Sequence, residues 1–210
     1  DDIFSSVLTD SLLESGVRGD YISVAHDTPT GSAFIVVDED GENSIVVVSG
    51  ANGTLGVADV DSMSPVLEDA RVFMLQLEIP IPVVERAADV ARRAGVVVML
   101  DPAPPAALSQ ELIRSVDIVT PNEHEAEFLT GRKITDLNAA CLAASDLVSM
   151  GFGRAVVKLG ERGLVYAGDD RLEHIPGHRL VPKDTTAAGD TFAGALAVAI
   201  CEGKSLGEAC

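Results

Sequence analysis

The stretch 184–196, DTTAAGDTFAGAL, places one carboxylate, Asp190, directly behind three very small residues, Ala187, Ala188 and Gly189. The apolar run that follows has helix-forming character, so the small residues fall at a helix N-terminus. Consecutive backbone N–H groups there lack partners within the helix, and the absence of bulky side chains lets an anion approach them closely. A carboxylate beside such a site can accept a proton from a hydroxyl while the N–H groups stabilise charge on the group being transferred. Those are the parts that phosphoryl transfer requires, together with Mg²⁺. The competing reading makes Asp190 an ordinary first-turn acid, favoured there by about 0.3–1 kcal/mol from the helix dipole.

A second candidate lies in TPNEHEAEFLTG. Asn122 and Glu125 stand at i and i+3, on one face of a short helix that starts where a strand ends, so an amide and a carboxylate project together. That pairing suits a hydrated Mg²⁺ and a phosphate. Glu123 and Glu127 are read as first-turn acids, and His124 does not complete H-E-x-x-H. Other matches fail on context. Gly203-Lys204-Ser205 resembles the end of a P-loop, but Val198 stands where its first glycine is needed and a helix precedes it. Gly151-Phe152-Gly153 precedes a strand and lacks the third glycine of a dinucleotide fingerprint. Asn52-Gly-Thr54 matches a glycosylation acceptor, yet nothing else points to secretion.

The elements that must hold these residues follow from periodicity. Ile3, Phe4, Val7, Leu8 and Leu12 are spaced as an opening amphipathic helix, and GSAFIVVDEDGENSIVVVSG reads as two β-rich runs around the turn-forming DEDGEN. Strand and helix then alternate: RVFMLQLE, PIPVVERAADVARRAG, VVVMLDPAPP, DIVTPN, EHEAEFLTG, DLNAACLAASDLVSMG and RAVVKLG. The spacing predicts an α/β fold with a mostly parallel sheet covered by helices on both faces. A turn at ERG precedes LVYAG and RLEHI, a small antiparallel β-rich excursion, and FAGALAVAICEG is an apolar helix. Ser205 and Glu208 have capping-box spacing. Ligands of such folds sit beyond the carboxyl ends of the strands, which directs attention to the loops ending LQLE, LDPAPP, TPNEHE, VKLGERG and KDTTAAGD.

Composition sets outer bounds. The 210 residues suit one main core, read as a single unit over 1–210. A net charge of −18 and a pI near 4.4 argue against general nucleic-acid or anionic-membrane binding. Cys141, Cys201 and Cys210 fit neither a disulfide framework nor a zinc spacing, so a reducing, cytoplasmic compartment is expected. No apolar run is long enough to span a bilayer.

Together the motifs resemble the ribokinase/PfkB-type carbohydrate kinases. DTTAAGDTFAGAL looks like that family's C-terminal signature, TPNEHEAEFLTG its N-x-x-E element and VKLGERG its nucleotide-contacting strand and loop. SGAN, LQLE, DPAP and PGHRLVPKD follow in the family's order. The resemblance implies Asp190 as catalytic base, and Ala187, Ala188 and Gly189 as the anion hole. It implies Asn122 and Glu125 on the phosphate–Mg²⁺ side, with Glu125 reaching the metal through water. Lys158, Leu159, Gly160, Glu161, Arg162 and Gly163 would meet ATP. Asp184 and Thr186 match positions that help bind a monovalent cation, usually K⁺, and Glu78 matches a residue near the sugar. Lys158 stands where related kinases often carry threonine; a direct phosphate contact and a lysine merely ending a strand are both open.

The implied activity is transfer of the ATP γ-phosphoryl group to a primary hydroxyl of a sugar, ribose foremost, with a nucleoside or fructose kinase of the same fold and an inactive binding fragment as alternatives. Partners are then a small-molecule sugar and ATP, with no nucleic acid and no membrane, and a homodimer is the assembly allowed. Residues 1–20 do not resemble the family's opening strand with its sugar-binding aspartate and glycine-rich region, and the family pattern continues beyond Cys210. A chain truncated at both ends is therefore expected.

Overall fold

The computed structural model describes residues 2–37, 43–178 and 186–210. Helix α1 (Ile3–Glu14) opens the chain and is followed by β1 (Ser32–Val37) and β2 (Asn43–Val48), which pair antiparallel as a separate two-stranded sheet. Residues 38–42 of the expected DEDGEN turn lie outside the described residues. Then come α2 (Val57–Met63), β3 (Val72–Leu75), α3 (Ile81–Arg93), β4 (Val97–Leu100), α4 (Gln110–Ser115), β5 (Ile118–Val119), α5 (Glu123–Thr130) and α6 (Leu137–Met150). The chain continues through β6 (Arg154–Lys158), β7 (Leu164–Gly168), β8 (Arg171–Ile175), α7 (Ala188–Cys201) and α8 (Leu206–Ala209).

The six-stranded sheet runs in the order β3-β4-β5-β6-β7-β8. Pairings from β3 to β6 are parallel and those of β6 with β7 and β7 with β8 are antiparallel, which is the mostly parallel sheet with a terminal excursion that periodicity predicts. Successive strand residues face opposite sides. Val98, Leu100, Val119, Ala155, Val157, Val165 and Ala167 enter one core with α3, α4 and α6, whereas Met99, Ile118, Val156, Leu164 and Tyr166 enter a second with α7 and α8. Helices cover both faces, and the strands are apolar on both sides for that reason.

Local chemistry sets the helix ends. Asn122, Asp136 and Ser109 accept backbone N–H groups at the starts of α5, α6 and α4, and Gly131 closes α5 in the left-handed conformation. The Ser205 N–H and hydroxyl both donate to Glu208, so the expected capping box forms on α8. Helices α2 and α4 were not anticipated, because at seven and six residues they are too short to establish a period. Helix α1 forms where its spacing predicts, tied by Asp2, which accepts from Thr30 N–H and hydroxyl at 2.7 and 2.8 Å. Its apolar side is a correction to the expected amphipathic packing: Ile3, Phe4, Val7, Leu8 and Leu12 are all exposed.

Candidate functional site

Three strand ends and one helix start converge. β4 delivers Asp101, β5 delivers Asn122, β6 delivers Lys158 and the turn 159–163, and α7 presents Ala188 and Gly189. Parallel packing produces this convergence, because β4, β5 and β6 all end on the same side of the sheet. Asn122 and Lys158 extend it by one parallel bridge, and the Lys158 N–H donates to the Pro121 carbonyl at 2.8 Å. Beside them opens a cavity of about 670 Å³, lined by Asn122, His124, Lys158, Gly160, Gly163, Ile175 to His178, Ala188, Gly189 and Phe192 among others.

The start of α7 has the form its sequence suggests. Ala187 is the residue before the first turn and adopts φ 58°, ψ 17°. That left-handed conformation costs an alanine about 1–2 kcal/mol. Strain of this kind concentrates where function over-determines the backbone. The Thr191 N–H donates to the Ala187 carbonyl at 2.9 Å, and no described side chain caps the turn. The N–H groups of Ala188, Gly189 and Asp190 thus precede the first helical bond, and the positive end of the dipole faces the cavity wall formed by Ala188 and Gly189. Asp190 is exposed on this first turn, adjacent to Gly189 but outside the cavity lining.

Asn122 and Glu125 do share a face, and they bind each other. The Asn122 N–H donates to Glu125 Oε2 at 2.7 Å, Asn122 Nδ2 donates to Oε1 at 2.8 Å, and the Glu125 N–H donates to Asn122 Oδ1 at 2.9 Å. Glu125 is 5% exposed. Burial pushes its carboxyl above the ordinary value of 4.5; the Asn122 N–H pulls it back, the nearby Asp101 charge pushes it up further, and Lys158 and His124 lower it. Each carboxylate oxygen keeps one unused lone pair, so the donor set can meet a metal directly or through water. Among the described residues no cluster of three or more His, Cys, Asp or Glu could hold a metal ion. A Mg²⁺ carried mainly by phosphate oxygens and water is what these residues suit.

The loop 158–163 divides. Lys158, Gly160 and Gly163 line the cavity. Leu159, expected to meet the nucleotide, is 2% exposed and its side chain belongs to the core. Glu161 and Arg162 do not line the cavity, although Arg162 pairs at 2.6 Å with Glu123, which does. The turn closes on itself through Leu159 and Gly163 backbone groups, the Leu159 N–H donating to the Gly163 carbonyl at 2.8 Å. Glu78 is exposed beyond β3, its N–H held by Gln76 Oε1 at 2.5 Å, and its neighbour Leu77 donates to the Ala103 carbonyl. It stands at the same sheet end but outside the cavity lining. Thr186 is exposed just before α7, and Asp184 lies outside the described residues.

Two features escaped sequence reasoning. Asp101 accepts from Lys158 Nζ at 2.7 Å, both side chains being less than one-fifth exposed. Pro176, Gly177 and His178 form the cavity's far wall. Asp101 is the first polar residue after the apolar run of β4, a signal within LDPAPP that could have singled it out.

The pfkB family carbohydrate kinase model matches residues 1–210. The ribokinase of Haemophilus influenzae is 38% identical over 208 residues, covering 99% of this chain and 68% of that protein. The ribokinase of Staphylococcus aureus is 39% identical over 176 residues, covering 84% of this chain and 58% of that protein. A solved structure of Arabidopsis thaliana ribokinase complexed with ribose and ATP superimposes with a TM-score of 0.88 at 32% identity, covering 100% of this chain and 69% of that one. The chain thus spans roughly three-fifths to two-thirds of the length of these relatives. A ribokinase-like sheet, a glycine-lined cavity at the start of α7 and a family match along every residue lead to one conclusion: the chain belongs to the pfkB family of carbohydrate kinases.

Proposed function

We propose that residues 1–210 form the core of an ATP-dependent sugar kinase that phosphorylates a primary hydroxyl, with ribose as the favoured acceptor. The observation that carries this reading is the cavity where the first N–H groups of α7, the Lys158 ammonium and the glycines 160, 163 and 177 meet. Ile175, Pro176 and Phe192 offer apolar walls to a purine, while the α7 N-terminus and Lys158 receive phosphates. Asp190, one residue beyond Gly189, accepts the proton from the attacking hydroxyl as its oxygen bonds to the γ-phosphorus and ADP departs. The N–H groups around Gly189 stabilise the charge on the phosphoryl oxygens during transfer. Bound Mg²⁺ neutralises phosphate charge. Asn122 and Glu125 would orient its water, while Asp184 and Thr186 would serve a K⁺ activator.

Ribose is favoured over a nucleoside because the loops assigned to the acceptor, LQLE, DPAPP and TAAGD, carry no aromatic residue to stack on a base. The ribose and ATP bound by the Arabidopsis relative support the same choice. No described helix is long and apolar enough to cross a membrane; a cytoplasmic setting fits the free cysteines, and a homodimer is the assembly to test. A second reading, a nucleotide-binding module without turnover, is favoured by the place of Asp190 outside the cavity lining.

The deciding experiment compares ribose, fructose and adenosine as acceptors for the protein that carries this chain. Ribose should exceed adenosine by at least about tenfold in kcat/KM, a difference of about 1.4 kcal/mol. Faster use of adenosine overturns the sugar reading, faster use of fructose changes the sugar, and ATP binding without transfer to any acceptor establishes the second reading.

A further inference from the structure

We propose that Asp101 is a charge-balancing residue of the nucleotide site: its carboxylate pairs with the Lys158 ammonium beside the first turn of α7 and offsets that charge until an oligophosphate shares it. The inference rests on reading the cavity as a nucleotide site. Lys158 lines the cavity and Asp101 does not, so a ligand meets the ammonium and feels the carboxylate through it.

The placement is close and rigid. A β-carbon added to Gly189 would lie 3.4 Å from Lys158 Nζ and 3.9 Å from Asp101 Oδ2, which sets the pair directly beneath the second residue of α7. Both partners stand on strand ends, with the Asp101 N–H bonded to the Leu75 carbonyl at 2.9 Å and the Lys158 N–H to the Pro121 carbonyl at 2.8 Å. The carboxylate uses only one oxygen for the lysine; Asp101 Oδ1 is buried without a hydrogen-bond partner among the described residues.

An ammonium beside a helix N-terminus is repelled by the positive end of the dipole, and a carboxylate at 2.7 Å offsets that repulsion. An incoming oligophosphate carries several negative charges and competes well against a single carboxylate. Lysine has three donors on a flexible stem, so it can keep one on Asp101 and turn the others to phosphate. A pair needed only for stability would have no reason to stand at a cavity, since apolar residues of similar volume serve as well.

The test is calorimetric titration of inorganic tripolyphosphate, then ATP, into the full chain and into Lys158→Met, Asp101→Asn and the double variant. Lys158→Met leaves an uncompensated carboxylate near the anion and should weaken tripolyphosphate binding at least about tenfold. Asp101→Asn frees the ammonium's charge and should tighten it at least about twofold. The double variant should bind at least about threefold more tightly than Lys158→Met, although it has lost one more native group. A purely structural pair would lower the melting temperatures without making Asp101→Asn bind anions better. Tripolyphosphate binding absent from the parent, unchanged in Lys158→Met, weakened in Asp101→Asn, or no tighter in the double variant overturns the inference. If Lys158→Met fails to fold by circular dichroism, the direction of change in the near-isosteric Asp101→Asn decides alone. ATP binding no tighter than tripolyphosphate would overturn the nucleotide reading, while the tripolyphosphate series would still decide the role of Asp101.

Discussion

Replacing Gly163 by alanine tests whether the cavity depends on the backbone packing seen here. Gly163 has φ 88° and ψ −129°, a region essentially reserved for glycine, so a side chain there costs about 1–3 kcal/mol in backbone strain. The added carbon would also lie 2.0 Å from the Ile175 carbonyl oxygen and 2.4 Å from the Gly177 nitrogen. Both obstacles are backbone and cannot rotate away, and overpacking of this kind adds about 1–3 kcal/mol. The total is about 2–6 kcal/mol, which for a chain of this length lowers the melting temperature by about 4–24 °C. Gly160 is the matched control. It also has positive φ, 58°, but nothing stands within 4 Å of an added carbon, so Gly160→Ala should cost only the strain, about 1–2 kcal/mol. Thermal unfolding followed by circular dichroism ranks the two, and ATP titration should show weaker binding in Gly163→Ala because Ile175, Pro176 and Gly177 are cavity wall. A Gly163→Ala melting temperature no lower than that of Gly160→Ala would refute the packing argument.

Asp190→Asn should lower kcat at least about a hundredfold and leave ATP affinity within about threefold, because the base acts on the acceptor hydroxyl; near-normal turnover removes Asp190 from the chemistry. Glu125→Gln should raise the Mg²⁺ concentration for half-maximal rate and cost about 0.5–2 kcal/mol in capping, measured by Mg²⁺ titration and denaturant melts. Glu125 also carries a pH signature: its folded value lies above 4.5, so the folded chain binds a proton the unfolded chain releases. Its contribution is full below pH 4.5 and is lost as pH rises through the folded value, and Glu125→Gln should flatten that part of the stability profile. Glu78→Ala should raise the sugar KM and spare that of ATP; equal changes in both would remove Glu78 from the acceptor side.

What the sequence determined by itself was whatever depends on neighbours a few residues apart. Alternation of apolar runs established the α/β class, because strand and helix periods are local properties. The Asn122–Glu125 relation was legible for the same reason: residues at i and i+3 meet on any helix, and their reciprocal capping needs no tertiary partner. The start of α7 was visible in Ala187, Ala188 and Gly189, since small residues before an apolar helical run leave N–H groups accessible wherever the helix is placed. Tertiary structure decided the contacts between distant segments. Lys158 and Asp101 are 57 residues apart and meet only because β4 and β6 end side by side around β5. The need for glycine at 163 comes from the Ile175–Gly177 backbone packed against it, which no local pattern records. Leu159 and Arg162 share a motif with Lys158, yet Leu159 enters the core and Arg162 stays out of the cavity lining, because a tight turn sends successive side chains in different directions and only the surrounding packing says which of them meets the cavity.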